Sequence, residues 1–241
     1  MVNTKAFDLG SHYVPFHIVK EWRYSLRFSI TKKGVVIRMP SRFNEKEATE
    51  KARMWCVSLA EKKSAVLSAF ELRTYQTGQE IQLLGEIFTI QMKYHPNGPN
   101  QITWDKTQNI QITINNNHSE VIKNQIIKEL LSKYAAKRFL IPVSMRVYEL
   151  NKKYFQSAIG NIRLKNNHSN WGSCSTKGNI NLATRLLLAP REVIDYVIIH
   201  ELAHTKEMNH SKRFWGWVEK ACPEYKQCEK WLKANSNLCS F

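Results

Sequence analysis

The segment from residue 200 to 210 constrains the fold of this chain more than any other, because it reads His-Glu-Leu-Ala-His-Thr-Lys-Glu-Met-Asn-His. His200 and His204 are four residues apart, so on a helix their side chains lie along one face and can reach a single ion. Glu201 lies about 100° around that helix, close enough to contact a water beside the ion without binding the ion itself. The spacing predicts a metal-binding helix.

A third histidine, His210, lies six residues after His204. On a continuous helix it would lie about 9 Å further along the axis and about 120° away from the shared face. We therefore expect the helix to end before His210. Asn209 tolerates a left-handed conformation and is the predicted point of reversal, and Ser211 is the predicted N-cap of the next helix.

Three imidazoles with an open fourth position are typical of a catalytic Zn²⁺ site, whereas structural zinc sites are closed and rich in thiolates. We therefore predict zinc ligands at His200, His204 and His210, with Glu201 as a general base. The alternative is a buried structural helix with two incidental histidines. In that case these side chains would need other polar partners in the core.

Motifs on both sides of this segment make the chain resemble the YgjP-like metallopeptidase family, which is related to the SprT and WLM-type zinc peptidases. The motifs are Trp171-Gly172-Ser173-Cys174, Asn179-Ile180-Asn181-Leu182, Ile194-Asp195-Tyr196-Val197, Asn209-His210-Ser211 and Phe214-Trp215. The resemblance is strongest over 160–220, with a weaker likeness over 23–40. It implies a gluzincin-like minimal catalytic domain with zinc on the three histidines and Glu201 as the base.

The chain departs from related patterns at two places. The family usually has an arginine before its Trp-Gly-Ser-Cys motif, where this chain has Asn170. The ligand spacing equals that of metzincins, but Glu207 stands where they have glycine and no methionine follows Met208 to form a Met-turn. A true metzincin is therefore not expected.

Composition limits the class of protein. With 241 residues and 43% hydrophobic content, the chain can bury one large core or two modest ones. Its apolar stretches are too short to span a bilayer, so a membrane protein is not expected. The five cysteines are odd in number and form no Cys-x-x-Cys pair, which favours a reducing cytoplasm over a disulfide framework.

The formal charge of +16 would attract polyanions such as nucleic acid or phosphorylated ligands. The basic residues are scattered along the chain and form no recognisable nucleic-acid motif. Solvated surface lysines are the favoured interpretation, and a nucleic-acid partner stays open.

The pattern predicts an α+β chain: an N-terminal β-hairpin or sheet with a helix, then a minimal zincin-like α+β metallopeptidase domain. Alternating apolar residues predict a strand over 22–30, and Asn44 predicts the start of a helix that continues towards residue 73. Further strands are expected over 87–94 and 109–114. The polar run Asn115-Asn116-Asn117 predicts a boundary, giving a first region of 1–117 and a catalytic domain of 118–241.

In the catalytic half, Ser119 is expected to cap a helix that ends near residue 138, and Pro142 to separate it from a second helix. Strands are expected over 159–165 and 179–186, and the second strand is the predicted place where a peptide substrate adds to a sheet edge. No internal repeat is apparent in the sequence.

Three hypotheses are compatible with these patterns. The leading one is zinc-dependent hydrolysis of a peptide or protein substrate, with Glu201 moving the proton. The second keeps the metal but takes nucleotides or other phosphoanhydrides, since activated water does not itself select between carbonyl and phosphoryl centres. The third is a nucleic-acid-associated protein. His168, Asn170 and Tyr196 are all conceivable oxyanion stabilisers, and Cys174 is expected to pack rather than react.

Overall fold

A computed structural model of the chain describes residues 5–10, 12–31, 33–63, 66–67, 70–71, 74–167 and 169–241. The α+β class is confirmed, and the chain divides into two compact units, Met1–Thr74 and Tyr75–Phe241. This division lies upstream of the predicted boundary near residue 117. The reason is that the strands between residues 80 and 115 share one hydrophobic core with the helix that comes after them.

In its described residues, the first unit contains a four-stranded sheet and one α-helix. Its elements are β1 (Ala6–Asp8), β2 (Tyr13–Glu21), β3 (Arg27–Thr31), β4 (Gly34–Pro40) and α1 (Glu45–Lys62). The strand order is β1-β2-β4-β3, with β2 and β4 parallel and the other neighbours antiparallel. Asn44 caps α1 as predicted, since its side chain accepts from the backbone N–H of Lys46 and Glu47, but α1 ends at Lys62, short of residue 73.

The strand predicted over 22–30 is wrong in its first half. β3 begins at Arg27, and Trp22 and Tyr24 are each 99% exposed rather than facing the core. The topology explains the difference: β4 lies between β2 and β3, so residues 22–26 must pass the end of β4 and have no neighbouring strand to pair with.

The second unit begins with a sheet of the same strand arrangement. Its elements are β5 (Glu80–Leu83), β6 (Glu86–His95), β7 (Gln101–Trp104), β8 (Asn109–Asn115) and α2 (Glu120–Leu150). The order is β5-β6-β8-β7, again with the second and fourth strands parallel and the other neighbours antiparallel. Each unit therefore contains the same ββββα arrangement, although the sequence shows no repeat.

One helix, α2, spans the stretch where the sequence predicts two. Ser119 caps it as expected, but α2 runs through Pro142 and ends in a π-helical turn at Asn151–Phe155. A proline inside a helix removes one backbone hydrogen bond. Buried apolar side chains on both sides of the proline offset that loss; they are Leu131, Phe139, Val143 and Val147.

The remaining described residues of the second unit form a smaller sheet, a 3₁₀ helix at Thr184–Leu188 and three α-helices. The strands and α-helices are β9 (Ile162–Lys165), β10 (Gly172–Cys174), β11 (Ile180–Ala183), α3 (Arg191–Ala203), α4 (Lys212–Ala221) and α5 (Tyr225–Asn235). The strand order is β10-β11-β9. Arg146 of α2 binds Asp195 of α3 through two hydrogen bonds of 2.6 and 2.9 Å, which joins the long helix to the histidine-bearing one. Among the described residues, no helix combines the length and apolarity needed to cross a bilayer.

Candidate metal centre

The histidine-bearing helix, α3, begins directly after Pro190 and buries most of its length. It ends at Ala203, so His204 is the first residue beyond it. The chain then turns tightly, with the N–H groups of Thr205 and Glu207 donating to Leu202 and Ala203. The prediction of a left-handed conformation at Asn209 is wrong, because the φ of Asn209 is not positive. Successive turns after α3 reverse the chain direction instead.

These turns bring the three predicted histidines together. One ring nitrogen from each of His200, His204 and His210 lies within 4.8 Å of the others, and the Nε2 atoms of His200 and His210 are 3.1 Å apart. Nitrogen atoms at about 2.0–2.1 Å from a tetrahedral zinc would be about 3.3 Å from one another. The separation of His200 and His210 therefore matches such an ion, and His204 lies near enough to be its third candidate ligand.

The Nδ1 atoms of His200 and His204 have different surroundings. Nδ1 of His204 lies 3.3 Å from the backbone oxygen of Glu207, so a proton on Nδ1 leaves Nε2 free to bind a metal. Nδ1 of His200 is buried without a hydrogen-bond partner in the described part of the chain. His200 is therefore oriented by packing rather than by a hydrogen bond.

Phe214, whose role sequence reasoning missed, supplies much of that packing. Ser211 caps α4 as predicted, accepting from the N–H of Phe214, and this places Phe214 in the first turn. The fully buried ring of Phe214 lies 4.6–4.9 Å from the centroids of all three imidazoles. Its position three residues after the predicted N-cap Ser211 placed it in the first turn of a helix, but did not indicate its contact with the imidazoles.

Glu201 lies in the same region and is almost completely buried, with 5% exposure. Burial raises the pKa of its carboxyl to about 8. Gly172 of β10 lies against it, and a Cβ atom on Gly172 would be 2.5 Å from Oε1 of Glu201. The glycine of the Trp-Gly-Ser-Cys motif is therefore what lets β10 approach the acid this closely.

Burial also governs the charge of the histidines. It lowers the pKa of His200 to about 4, with smaller contributions from His204 and His210, and it lowers the pKa of His204. Both rings are therefore neutral near pH 7, which is the form that binds metals.

The sheet edge beside Glu201 is β10, not the predicted strand. β11 lies between β10 and β9 and has a neighbour on both sides, so it cannot accept an added strand. The backbone N–H of Ala183 donates to the carbonyl of Trp171, and that of Ser175 donates to the carbonyl of Asn179. Trp171–Ala183 and Ser175–Asn179 are therefore hydrogen-bonded pairs between the two chain segments that form β10 and β11. By alternation, the backbone N–H and C=O groups of Gly172 and Cys174 point away from β11.

The other candidate residues near the site differ in their exposure. Trp171 is half-buried beneath the Arg185 guanidinium, 3.6 Å from the ring centroid. Burial, and to a lesser degree Glu201, raises the pKa of the Cys174 thiol to about 11, so this thiol is not a nucleophile near pH 7. Tyr196 is 5% exposed and its ring centroid lies 6.1 Å from that of His200, whereas Asn170 is exposed. His168 lies outside the described residues.

Several known proteins are similar to this chain. A family model described as "YgjP-like, metallopeptidase domain" matches residues 24–235. The chain is 28% identical over 88 residues to the UTP pyrophosphatase of Escherichia coli (strain K12), a match that covers 36% of this chain and 52% of that protein. A solved structure, the metallopeptidase zymogen of Pyrococcus abyssi abylysin, is 29% identical with a TM-score of 0.36 and matches 40% of this chain and 94% of its own.

Proposed function

Because the family model covers most of the chain, the protein belongs to the YgjP-like metallopeptidase domain family, and we propose that it hydrolyses peptide bonds with zinc held by His200, His204 and His210. The observation that carries the proposal is the convergence of three ring nitrogens beside one buried carboxylate. Neutral imidazole is a preferred zinc ligand, so the donor set fits the ion.

When bound, zinc supplies a Lewis acid that polarises a carbonyl group and makes water more acidic. Glu201 then accepts a proton from the attacking water and donates it to the leaving amine. Burial raises the pKa of this carboxyl to about 8 in the absence of metal, and the positive charge of a bound ion would lower it, favouring the carboxylate form that can accept the proton. The low exposure of Glu201 also keeps bulk water from competing for the proton.

The free edge of β10 provides a place for the substrate backbone. An extended peptide can pair with the outward N–H and C=O groups of Gly172 and Cys174 as an added strand. Since Gly172 contacts Glu201, a peptide held at this edge would lie close to the proton carrier. Main-chain pairing of this kind makes few demands on the sequence of the substrate.

The first experiment replaces Glu201 with glutamine, which keeps the size of the side chain and removes the base. We expect Glu201→Gln to retain its zinc and to lose about 10²- to 10⁴-fold in kcat. The matched control is Glu192→Gln, at an exposed position in the first turn of α3. If Glu201→Gln hydrolysed peptides at the wild-type rate, Glu201 would not be the base.

The second experiment tests the substrate edge. Cys174→Pro removes one outward-pointing N–H while the ladder to β11 is kept, because proline is tolerated where the N–H of an edge strand faces away from its neighbour. We expect kcat/KM for peptides to fall about tenfold, which corresponds to the loss of one hydrogen bond. Cys174→Val keeps the N–H and serves as the control. Equal activities of the two variants would contradict binding at this edge.

A second candidate function is hydrolysis of nucleotides or other phosphoanhydrides. The partial similarity to a protein named UTP pyrophosphatase and the charge of +16 are compatible with it, but they do not favour it over the peptidase. Nucleotide hydrolases more usually bind magnesium through carboxylates, so the three imidazoles favour the peptidase. Parallel assays on unfolded proteins and on nucleoside triphosphates separate the two, and salt-dependent retention on DNA tests for a nucleic-acid partner.

A further inference from the structure

A cavity of about 330 Å³ lies beside the candidate metal centre, with His204 in its wall. Its lining is cationic, because it includes two lysines and no acidic residue. The lining residues are Ala158, Ser175, Thr176, Lys177, Gly178, His204, Thr205, Lys206 and Met208. Because His204 belongs to both, a group that fills the cavity would lie close to the candidate metal centre.

An ordered turn between β10 and β11 holds Lys177 at the cavity. The N–H of Gly178 donates to Ser175 at 2.8 Å, and the N–H of Ser175 donates to Asn179 at 3.0 Å. Gly178 has a φ of +71°, a conformation that glycine adopts without strain. The backbone of Lys177 is therefore fixed at the tip of a tight turn.

The turn after α3 holds Lys206 at the same cavity. Its N–H donates to Ala203 at 3.0 Å, and its ammonium group lies 5.8 Å from the centroid of the Trp217 ring. Neither Lys206 nor Lys177 forms an ion pair within the described residues. Two basic residues without acidic partners among the described residues thus line one cavity, where their positive charge favours an anionic ligand.

We infer that this cavity is a substrate subsite that takes an anionic group, the carboxylate of an aspartate or glutamate side chain close to the scissile bond. The inference rests on the proposed peptidase function and adds a preference for acidic residues to it. Lys177 and Lys206 would act as specificity residues through charge and hydrogen bonding, without taking part in bond cleavage. A phosphate group shares this chemistry and is an alternative source of the anion.

The test uses pairs of peptides that differ by Glu against Gln, or Asp against Asn, at each position around the cleavage site. We expect wild-type protein to prefer the acidic peptide about tenfold in kcat/KM, mainly through KM. Lys177→Ala/Lys206→Ala should abolish that preference. The matched control is Lys226→Ala/Lys230→Ala, at exposed positions on α5 away from the cavity.

A binding measurement separates this inference from the proposed function. Fluorescence anisotropy of the same labelled peptides on the Glu201→Gln variant should show the acidic preference without turnover. Failure of wild-type protein to cleave any peptide would overturn the proposed function, whereas cleavage and binding with no acidic preference would overturn the inference alone. If the double lysine variant lost UTP hydrolysis but kept its peptide preference, the anion would be a phosphate and the inference would also be wrong.

Discussion

The two four-stranded sheets of this protein share one strand order but differ in the elements that come after them. In each unit the second and fourth strands are parallel, and a helix comes next. After the first sheet the helix has 18 residues, whereas after the second it has 31 residues and leads into the smaller sheet and the histidine-bearing helix. The shared arrangement is therefore a scaffold, and the candidate chemistry lies in the elements added after it.

The loops between the second and third strands of each sheet also differ. In the first unit this loop exposes Trp22 and Tyr24 at 99% each. In the second unit the corresponding loop is held by hydrogen bonds: Asn100 accepts from the N–H of Asn115 at 2.8 Å, and Asn117 donates to Pro96 at 2.9 Å. The second sheet, which precedes the site, thus has the more firmly fixed loop.

The largest expected contrast comes from adding one methyl group to a glycine in each unit. A Cβ on Gly34 would be 2.1 Å from the backbone oxygen of Pro15, and the φ of Gly34 is +124°. We expect Gly34→Ala to lower the free energy of unfolding by about 3 kcal/mol, because both the clash and the backbone strain are unavoidable. Chemical denaturation measures this loss, and peptide hydrolysis per folded molecule should be retained.

Gly172→Ala is the counterpart in the second unit. The added Cβ meets the side chain of Glu201, which can move more easily than backbone, so we expect a smaller stability loss of about 1 kcal/mol. Displacing the carboxylate should nevertheless lower kcat about 100-fold. The contrast between scaffold and site would be wrong if Gly172→Ala kept wild-type kcat or if Gly34→Ala were the variant that lost it.

The two loops give a contrast of intermediate size. Asn100→Ala removes the acceptor for Asn115 and a contact of 3.3 Å to His118, and we expect a loss of about 1–2 kcal/mol in stability. Trp22→Ala should change stability by less than about 0.5 kcal/mol, because its side chain is fully exposed. Equal losses on urea titration would show that the first loop is as firmly packed as the second.

The helix caps give the smallest contrast. The Asn44 side chain accepts from two backbone N–H groups, at 2.8 and 3.3 Å, while the Ser119 hydroxyl accepts from one at 3.5 Å. Thermal unfolding should therefore show a loss of about 1 kcal/mol for Asn44→Ala and of about 0.5 kcal/mol for Ser119→Ala. A larger loss for Ser119→Ala would reverse this ranking of the two caps.

Local chemistry explains which features could be predicted from the sequence. The caps at Asn44, Ser119 and Ser211 depend on one side chain and the next turn, and all three are present. The proximity of His200 and His204 is a consequence of the helical period. The proximity of His210 to the other two histidines required the inference that the helix ends before His210. α3 does end before it, at Ala203, although turns rather than a left-handed Asn209 reverse the chain.

Features set by long-range contacts could not be predicted in the same way. The alternation over 22–30 is compatible with a strand, but only the position of β4 between β2 and β3 shows that residues 22–26 must form a loop. Pro142 is typical of a helix break, whereas burial of the apolar face keeps α2 continuous. The role of Phe214 beneath the imidazoles depends on the packing of α4 against α3, which no local pattern reveals.

The most direct test of the shared site is the zinc content of the purified protein and of His210→Ala, measured by plasma mass spectrometry after dialysis. The control is His17→Ala, an exposed position on β2 in the first unit. We expect about one zinc per chain in wild-type protein and in His17→Ala, and loss of most of the zinc in His210→Ala. Equal zinc content in all three proteins would contradict a site shared by His200, His204 and His210.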